Sequence, residues 1–368
     1  MSRTRMPWHR GVGPIGLDLG AVEPLAMQVR LGPDSPTCSR VIPVLPDATL
    51  VERTAAAAVA LRKSRFLGRE VIVGLPADFV KMAVVRIPVL AGADGREAAA
   101  WEAAERTGSS RDAIVADAIP TGAPSTSQEG KEEQLLVSAP SEELTQALDH
   151  LIDAGFEPVA CEPRFAAVAR ALSRRNRRDS DVADVRAVLH IDDRFSLMMV
   201  LRGDRVAFCR EIATGGEVLD NAVATRLSVP VESARRLRAQ RIAAVRGRSA
   251  PVDPVTEEAS LAATRATLDA LAGEVALCLR YFGVTFRGGQ PARVVLSGPN
   301  GAEPRLASII EDACRSSVVH CESELPAAAA VAALEPVGAS QTGEIADWLA
   351  CYGLACRTRS LISMEEAA

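Results

Sequence analysis

Three glycine-bearing turns each follow a short apolar run that reads as a strand: Asp18-Leu19-Gly20, then Gly215-Gly216, then Ser297-Gly298-Pro299-Asn300-Gly301. A glycine at such a turn lets the backbone approach a ligand closely, and consecutive backbone N–H groups there can cradle an anion. Each turn alone is only a turn; the three together, at matching places in the chain, outline an anion cleft. A second set, His190 with Asp192 and Asp193, has the residue types of an acid/base pair or half a metal site. Charged side chains between strands are ordinarily solvated, and that is the expectation for these three. The arginines Arg174, Arg175, Arg177 and Arg178, and Arg235, Arg236, Arg238, Arg241, Arg246 and Arg248, form two basic clusters without interleaved aromatic residues. They are expected to be solvated helix faces and not a nucleic-acid surface. The motifs G-x-x-x-x-G-K-[ST], H-E-x-x-H and G-x-S-x-G and the kinase signature set are all missing from the sequence, which removes the reaction classes that depend on them.

The eight cysteines point to packing and not to cross-linking. Cys161, Cys209, Cys278 and Cys314 lie in apolar segments, where a thiol behaves as a small hydrophobe. Cys351 and Cys356 are spaced C-x4-C with no second pair and no histidines at zinc spacing, so free thiols and no metal are expected. The chain has 368 residues, 48% hydrophobic but only 4% aromatic, with net charge -5. This is a globular balance, at a length that suggests two domains or one bilobed body whose core is built from Ala, Val, Leu and Ile. No apolar run reaches the roughly 18 residues of a membrane span, and the basic start lacks a signal-like apolar region. A cytoplasmic protein is expected.

The elements that must position the turns recur in order. IGLDLG, LAMQVRLG and SRVIPVLP read as three strands, followed by a helix from Leu50 to Arg65 and the strand EVIVGLP. RAVLHID, SLMMVLRGD and RVAFCREIATGG repeat the three strands, followed by helical sequence and the strand ARVVLSG. A duplicated β-β-β-α-β order implies two related lobes facing each other across a cleft. Between them, KMAVVRIPV, REAAAWEAAERT, AIVADAIP, EEQLLVSAP, SEELTQALDHLIDAGF and EPVACEP read as a small α+β module, with Ser141 as N-cap of its second helix and a polar loop from Thr121 to Glu133. Leu261, Thr264, Leu268, Leu271, Val275, Cys278 and Phe282 step by three and four along one helix face. Glu217 to Arg246 is read as its partner helix, and IADWLACYGLACR as a short helix on the second lobe. The division is residues 1–80 plus 164–185 as first lobe, 81–163 as inserted module, 186–216 plus 288–368 as second lobe and 217–287 as its helical insertion.

On the segments IGLDLG, VIVGLPADFVKMAVVRIP, LIDAGFEPVACEP, FCREIATGG, VPVESARRLR, VVLSGPNG and YGLACR, in this order over nearly the whole chain, the sequence resembles the actin-like ATPase superfamily and, within it, the PilM family of type IV pilus assembly proteins. The resemblance implies a duplicated two-lobed α/β fold with an α+β insertion in lobe one and a helical insertion in lobe two. It also implies a cytoplasmic scaffold of a pilus or related secretion platform, peripheral to the inner membrane. Its partner would be the short N-terminal cytoplasmic peptide of a PilN-like membrane protein, docked where the inserted module meets lobe one; self-association is a further possibility the resemblance carries. The membrane-anchoring C-terminal helix of the related FtsA family is not evident in TRSLISMEEAA.

The sequence departs from the family at the nucleotide-facing turns. After Asp18-Leu19-Gly20 comes Ala21-Val22-Glu23-Pro24-Leu25, without hydroxyl residues and with Leu25 at the place of a lysine; Glu23 would repel a phosphate, and Pro24 lacks an N–H. His190-Ile191-Asp192-Asp193-Arg194 has no glycine, Arg235 and Arg238 replace Glu and Lys, and Gly298-Pro299 replaces a Gly-Gly turn. The expectation is therefore a degenerate cleft with no catalytic residue and no cofactor. In the alternative, an active ATPase that polymerises or switches with nucleotide, ATP and Mg²⁺ would be held by Asp18 (on the metal side), Gly20, Ala21, Gly215, Gly216, Gly298 and Asn300.

Overall fold

The computed structural model describes residues 11–45, 47–88, 92–121, 131–174, 184–285, 291–330, 332, 334–335 and 343–357. The loop 122–130, Arg175, Arg177, Arg178 and the segment TRSLISMEEAA lie outside them. Strands β1 (Val12–Asp18), β2 (Leu25–Arg30), β3 (Ser35–Val41), β4 (Glu70–Leu75) and β8 (Glu157–Pro163) form one sheet in the order β3-β2-β1-β4-β8. Strands β9 (Val185–Ile191), β10 (Ser196–Arg202), β11 (Arg205–Ile212), β12 (Arg293–Ser297) and β13 (Ser317–His320) form a second in the order β11-β10-β9-β12-β13. The two sheets have the same connectivity. The first strand of each pairs antiparallel with the second and parallel with the fourth: Leu17 faces Ala26 and Val73, and Leu189 faces Met198 and Leu296. The duplicated α/β fold read from the strand order is the observed one.

A third, antiparallel sheet, β5 (Lys81–Pro88), β7 (Lys131–Pro140) and β6 (Ile114–Pro120), runs in the order β5-β7-β6, which leaves β6 at an edge. Helix α2 (Gly92–Thr107) covers it through Ala99, Ala100 and Ala103 against Val85, Ile87 and Leu136. This three-stranded sheet is separate from the two five-stranded ones. Helix α3 (Ser141–Asp153) buries Leu144, Ala147 and Leu151 with Leu50, Ala57 and Leu61 of α1 (Leu50–Arg62), and β8 completes the first sheet. Ser141 is not a cap; Pro140 holds that position and α3 starts without a side-chain cap bond. Thr49 and Glu52 form a reciprocal capping box at α1 instead.

Helix α4 (Arg164–Leu172) follows β8 directly and lies between the lobes, with Phe165, Val168 and Leu172 in a core shared with β2, β10 and β11. The stretch read as one partner helix is two, α5 (Gly216–Leu227) and α6 (Val231–Val245). Pro230 disfavours helical geometry in the residue before it, and Ser228 turns the chain with φ near 53°. The long α7 (Pro254–Thr285) points Leu268, Leu271, Val275, Cys278 and Phe282 into the second lobe, as its periodicity predicted. After α8 (Leu306–Cys314) and α9 (Ala327–Ala330) comes α10 (Leu349–Ala355).

Helix α10 packs on β1, β2, β4 and α4 of the first lobe, not on the second. The cause is a glycine-lined sheet face. A Cβ at Gly16 would stand 2.5 Å from the Ala355 nitrogen, and one at Gly74 2.7 Å from a Leu354 methyl. Only a bare backbone lets the helix come so close. All eight cysteines are free thiols, and burial pushes Cys161 up to about 11 and Cys351 and Cys321 well above the usual thiol value.

Candidate functional site

Between the two sheets, the ends of β1 and β9 bring Asp18 and Asp192 to opposite sides of one guanidinium. Arg164, the first residue of α4, has a side chain only 6% exposed. Its Nε donates to Asp18 at 3.0–3.1 Å, its Nη1 and Nη2 donate to the two oxygens of Asp192 (Nη2 at 3.2 Å), and Nη1 reaches the Gly20 carbonyl at 3.5 Å. Gly20 is bare where Arg164 passes: a Cβ there would collide with Arg164 Cδ. A cation in the first turn of a helix opposes the helix dipole, so its position is held by the carboxylates and not by the helix.

Burial pushes the Asp18 carboxyl above the usual range, with Arg164 opposing and Asp192 adding to the rise. Burial also works against the charge of Asp192, yet Arg164 and then His190 outweigh it and hold that carboxyl well below the usual range. His190 lies 3.5 Å from Asp192 through Nε2, and its Nδ1 is 3.1 Å from Ser297 Oγ. His190 is buried and Asp192 and Asp193 are half-buried and bonded, which corrects the expectation of solvation; no group of His, Cys, Asp or Glu among the described residues is placed to hold a metal. A carboxylate with a depressed native pKa contributes stability above its unfolded value and loses it as pH falls through the native one. Asp192→Asn is therefore expected to cost about 2 kcal/mol at pH 7. The deficit should persist down to about pH 4, the ordinary carboxylate value, and shrink below it. Urea unfolding of both proteins at pH 7, 5 and 3 measures this.

The remaining predicted residues surround the same turn. The Gly20 amide donates to Asp18 Oδ1, the Gly216 amide to the Asp192 carbonyl, the Glu217 amide to the Asp193 carbonyl and the Asn300 amide to the Ile191 carbonyl. Asn300 Nδ2 donates to the Asp192 carbonyl and to Asp193 Oδ1, both at 3.2 Å. Gly215 is packed against Asp193 and Arg194, and Gly298, with φ near 87°, against the Ile191 carbonyl. Ala21 lines a cavity of about 610 Å³ at the cleft mouth, where Asp78, Asp193 and Glu217 add carboxylates. The amides of Gly20, Gly216 and Asn300 are thus engaged within the protein, and the Arg164 guanidinium lies between Asp18 and Asp192. Asp18, the residue expected on the metal side, already has a guanidinium as its counter-ion.

Arginine also fills the second-lobe side of the cleft. Arg238, 3% exposed, donates to Asp220 Oδ1 at 2.6 Å, Glu303 Oε2 at 2.8 Å, the Gly216 carbonyl at 3.0 Å and Asn300 Oδ1 at 3.0 Å. Arg241 links Glu303 to Glu257, and Arg246 pairs with Glu344 at 2.6 Å and reaches the Gly298 carbonyl at 3.3 Å. This corrects the reading of the cluster as a solvated face; Arg236 and Arg248 alone of the six are mainly exposed. Arg164 itself escaped notice in the sequence. The available signal was a basic residue at the first position of a helix after Pro163, where the dipole disfavours it.

The other face of α4 borders a groove of about 810 Å³. Edge strand β6 forms one wall with Val115 and Ile119; Phe165, Ala166 and Ala169 of α4 form the floor, and Val206 lies at the second lobe. One end is charged: Glu162 receives Arg170 at 2.5 Å and Arg357 at 2.5 Å. No helix of the described residues is long and apolar enough to cross a membrane.

No family model and no curated protein matches the chain. Solved structures do. A PilM–PilN type IV pilus biogenesis complex matches with a TM-score of 0.71 at 22% identity, covering 93% of this chain and 97% of that one. The ethanolamine utilization protein EutJ from Carboxydothermus hydrogenoformans matches at 0.51 and 14% identity, with 95% and 91% covered. MreB5 of Spiroplasma citri bound to AMPPNP matches at 0.50 and 11%, with 98% and 99% covered. By fold, the chain is an actin-like two-lobed protein built as PilM is.

Proposed function

We propose that the chain is a scaffold that docks the short N-terminal cytoplasmic tail of a PilN-like inner-membrane protein, within the platform of a type IV pilus or a related secretion machine. In this reading it is cytoplasmic, held at the membrane by its partner, with residues 81–163 as the partner-bearing insertion. The observation that carries it is the groove between β6 and α4. An extended peptide needs unpaired backbone on one side and apolar pockets on the other, and an edge strand facing an apolar helix supplies both. The likeness in fold to the PilM of a PilM–PilN complex supports the same reading.

The cleft is read as a degenerate nucleotide site, supported by Arg164 between the two carboxylates and by the engaged amides of Gly20, Gly216 and Asn300. Two calorimetric titrations test the whole proposal. The first residues of the membrane partner should bind at micromolar concentration, and Mg·ATP should give no heat. Capture of no inner-membrane peptide, together with Mg·ATP-dependent filaments, would replace the scaffold with the polymerising ATPase; in that case Asp18→Ala should abolish activity.

A further inference from the structure

We propose that Arg164 is an interlobe latch, a cation tethered to α4 that fixes the closure of the two lobes without any dissociable ligand. Asp18 ends β1 of the first sheet and Asp192 directly follows β9 of the second, so the guanidinium is bonded to both lobes at once. Five oxygens converge on it: two from each carboxylate and the Gly20 carbonyl. Such an arrangement of hard oxygen donors around one positive centre is what a cation-bridged interface requires. Here the cation cannot diffuse away.

The surroundings are built for it. Gly20 leaves the space the side chain passes through, and Arg53 holds the first turn from behind by donating to the carbonyls of Leu19 at 3.1 Å and Ala21 at 2.6 Å. On the second-lobe side, Asn300 fixes the Asp192 carbonyl and the Asp193 carboxylate. A second ion pair between the lobes, Arg194 with Asp78 at 3.6 Å, is half exposed and adds little. At the cleft, therefore, the Arg164 pairs are the shielded ionic link between the two turns, while the apolar core around α4 joins the lobes beneath them. Because Arg164 opens the helix whose other residues floor the groove, the latch also sets where that floor stands relative to β11.

Hydrogen–deuterium exchange read by mass spectrometry on the full chain tests this independently of any partner. Arg164→Met removes the latch. Arg164→Met with Asp192→Asn removes it together with the Asp192 charge, and burial already pushes the remaining Asp18 carboxyl toward its neutral form, which guards against a variant that fails to fold. In the double variant, the protected amides of Leu19, Gly20 and Asp192 should exchange at least tenfold faster, while β5–β7 and α7 keep wild-type rates. Wild-type protection at both turns would overturn the proposal, and so would an equal loss across the chain, which would make Arg164 an ordinary core residue.

Discussion

Arg238→Met is expected to destabilise the second lobe by about 3–5 kcal/mol, the cost of leaving one partner of a buried ion pair uncompensated. Asp220 and Glu303 are only 2% and 0% exposed at their side chains. Arg238 is bonded to both, and through the Gly216 carbonyl and Asn300 it ties the start of α5 to the turn after β12. Methionine fills much of the volume and satisfies none of these oxygens. Arg235 and Arg241 remain on Asp220 and Glu303, but each already serves another carboxylate, Glu232 and Glu257. The comparison is Arg236→Met, whose side chain is 72% exposed and pairs with Glu232 alone, and which should cost less than about 0.5 kcal/mol. Urea unfolding followed by circular dichroism decides; equal costs for the two variants would refute the role given to the buried network. Adding Asp220→Asn and Glu303→Gln to Arg238→Met should recover part of the loss, because the penalty lies in the stranded charges.

Ala166→Trp should weaken capture of the partner's N-terminal tail by about 100-fold, equivalent to about 2.7 kcal/mol. Ala166 is half-buried on the groove side of α4, opposite the wall made by β6. An indole there occupies the space an extended peptide would need to lie along the edge strand. The fold has little reason to object, since the added ring projects into a cavity and not into packed core. Calorimetry with the tail peptide and a thermal melt of the free variant separate the two effects. Unchanged affinity in a folded variant would move the docking site away from this groove.

The strands and their duplication were legible because their signals are local. Short apolar runs broken by turn residues gave the succession of β1 to β4 and of β9 to β12 along the chain, though not the fifth strand of either sheet, and the three-and-four spacing of Leu268 to Phe282 gave the buried face of α7. The filling of the cleft was not legible. Arg238 and Arg241 lie three apart on a polar helix, a pattern that reads as solvated until Asp220, Glu257 and Glu303 arrive from three other elements. Arg164 is bonded to residues 146 and 28 positions away, a distance no periodicity records. The docking of α10 was misplaced for the same reason. Its glycine-lined seat is assembled from Gly13, Gly16 and Gly74, each of which alone reads as a turn or a weak strand position.

That seat has a consequence for biosynthesis. The first lobe's sheet is finished at Pro163, but the helix that covers its glycine face is residues 349–355. A chain emerging from the ribosome amino end first therefore exposes the apolar side of β1, β2 and β4 until almost all of the second lobe has been made. The lobe that starts first is completed last. Its nascent form is the stage at which a chaperone would have most to cover, and the one at which a truncated chain would be most open to aggregation and proteolysis.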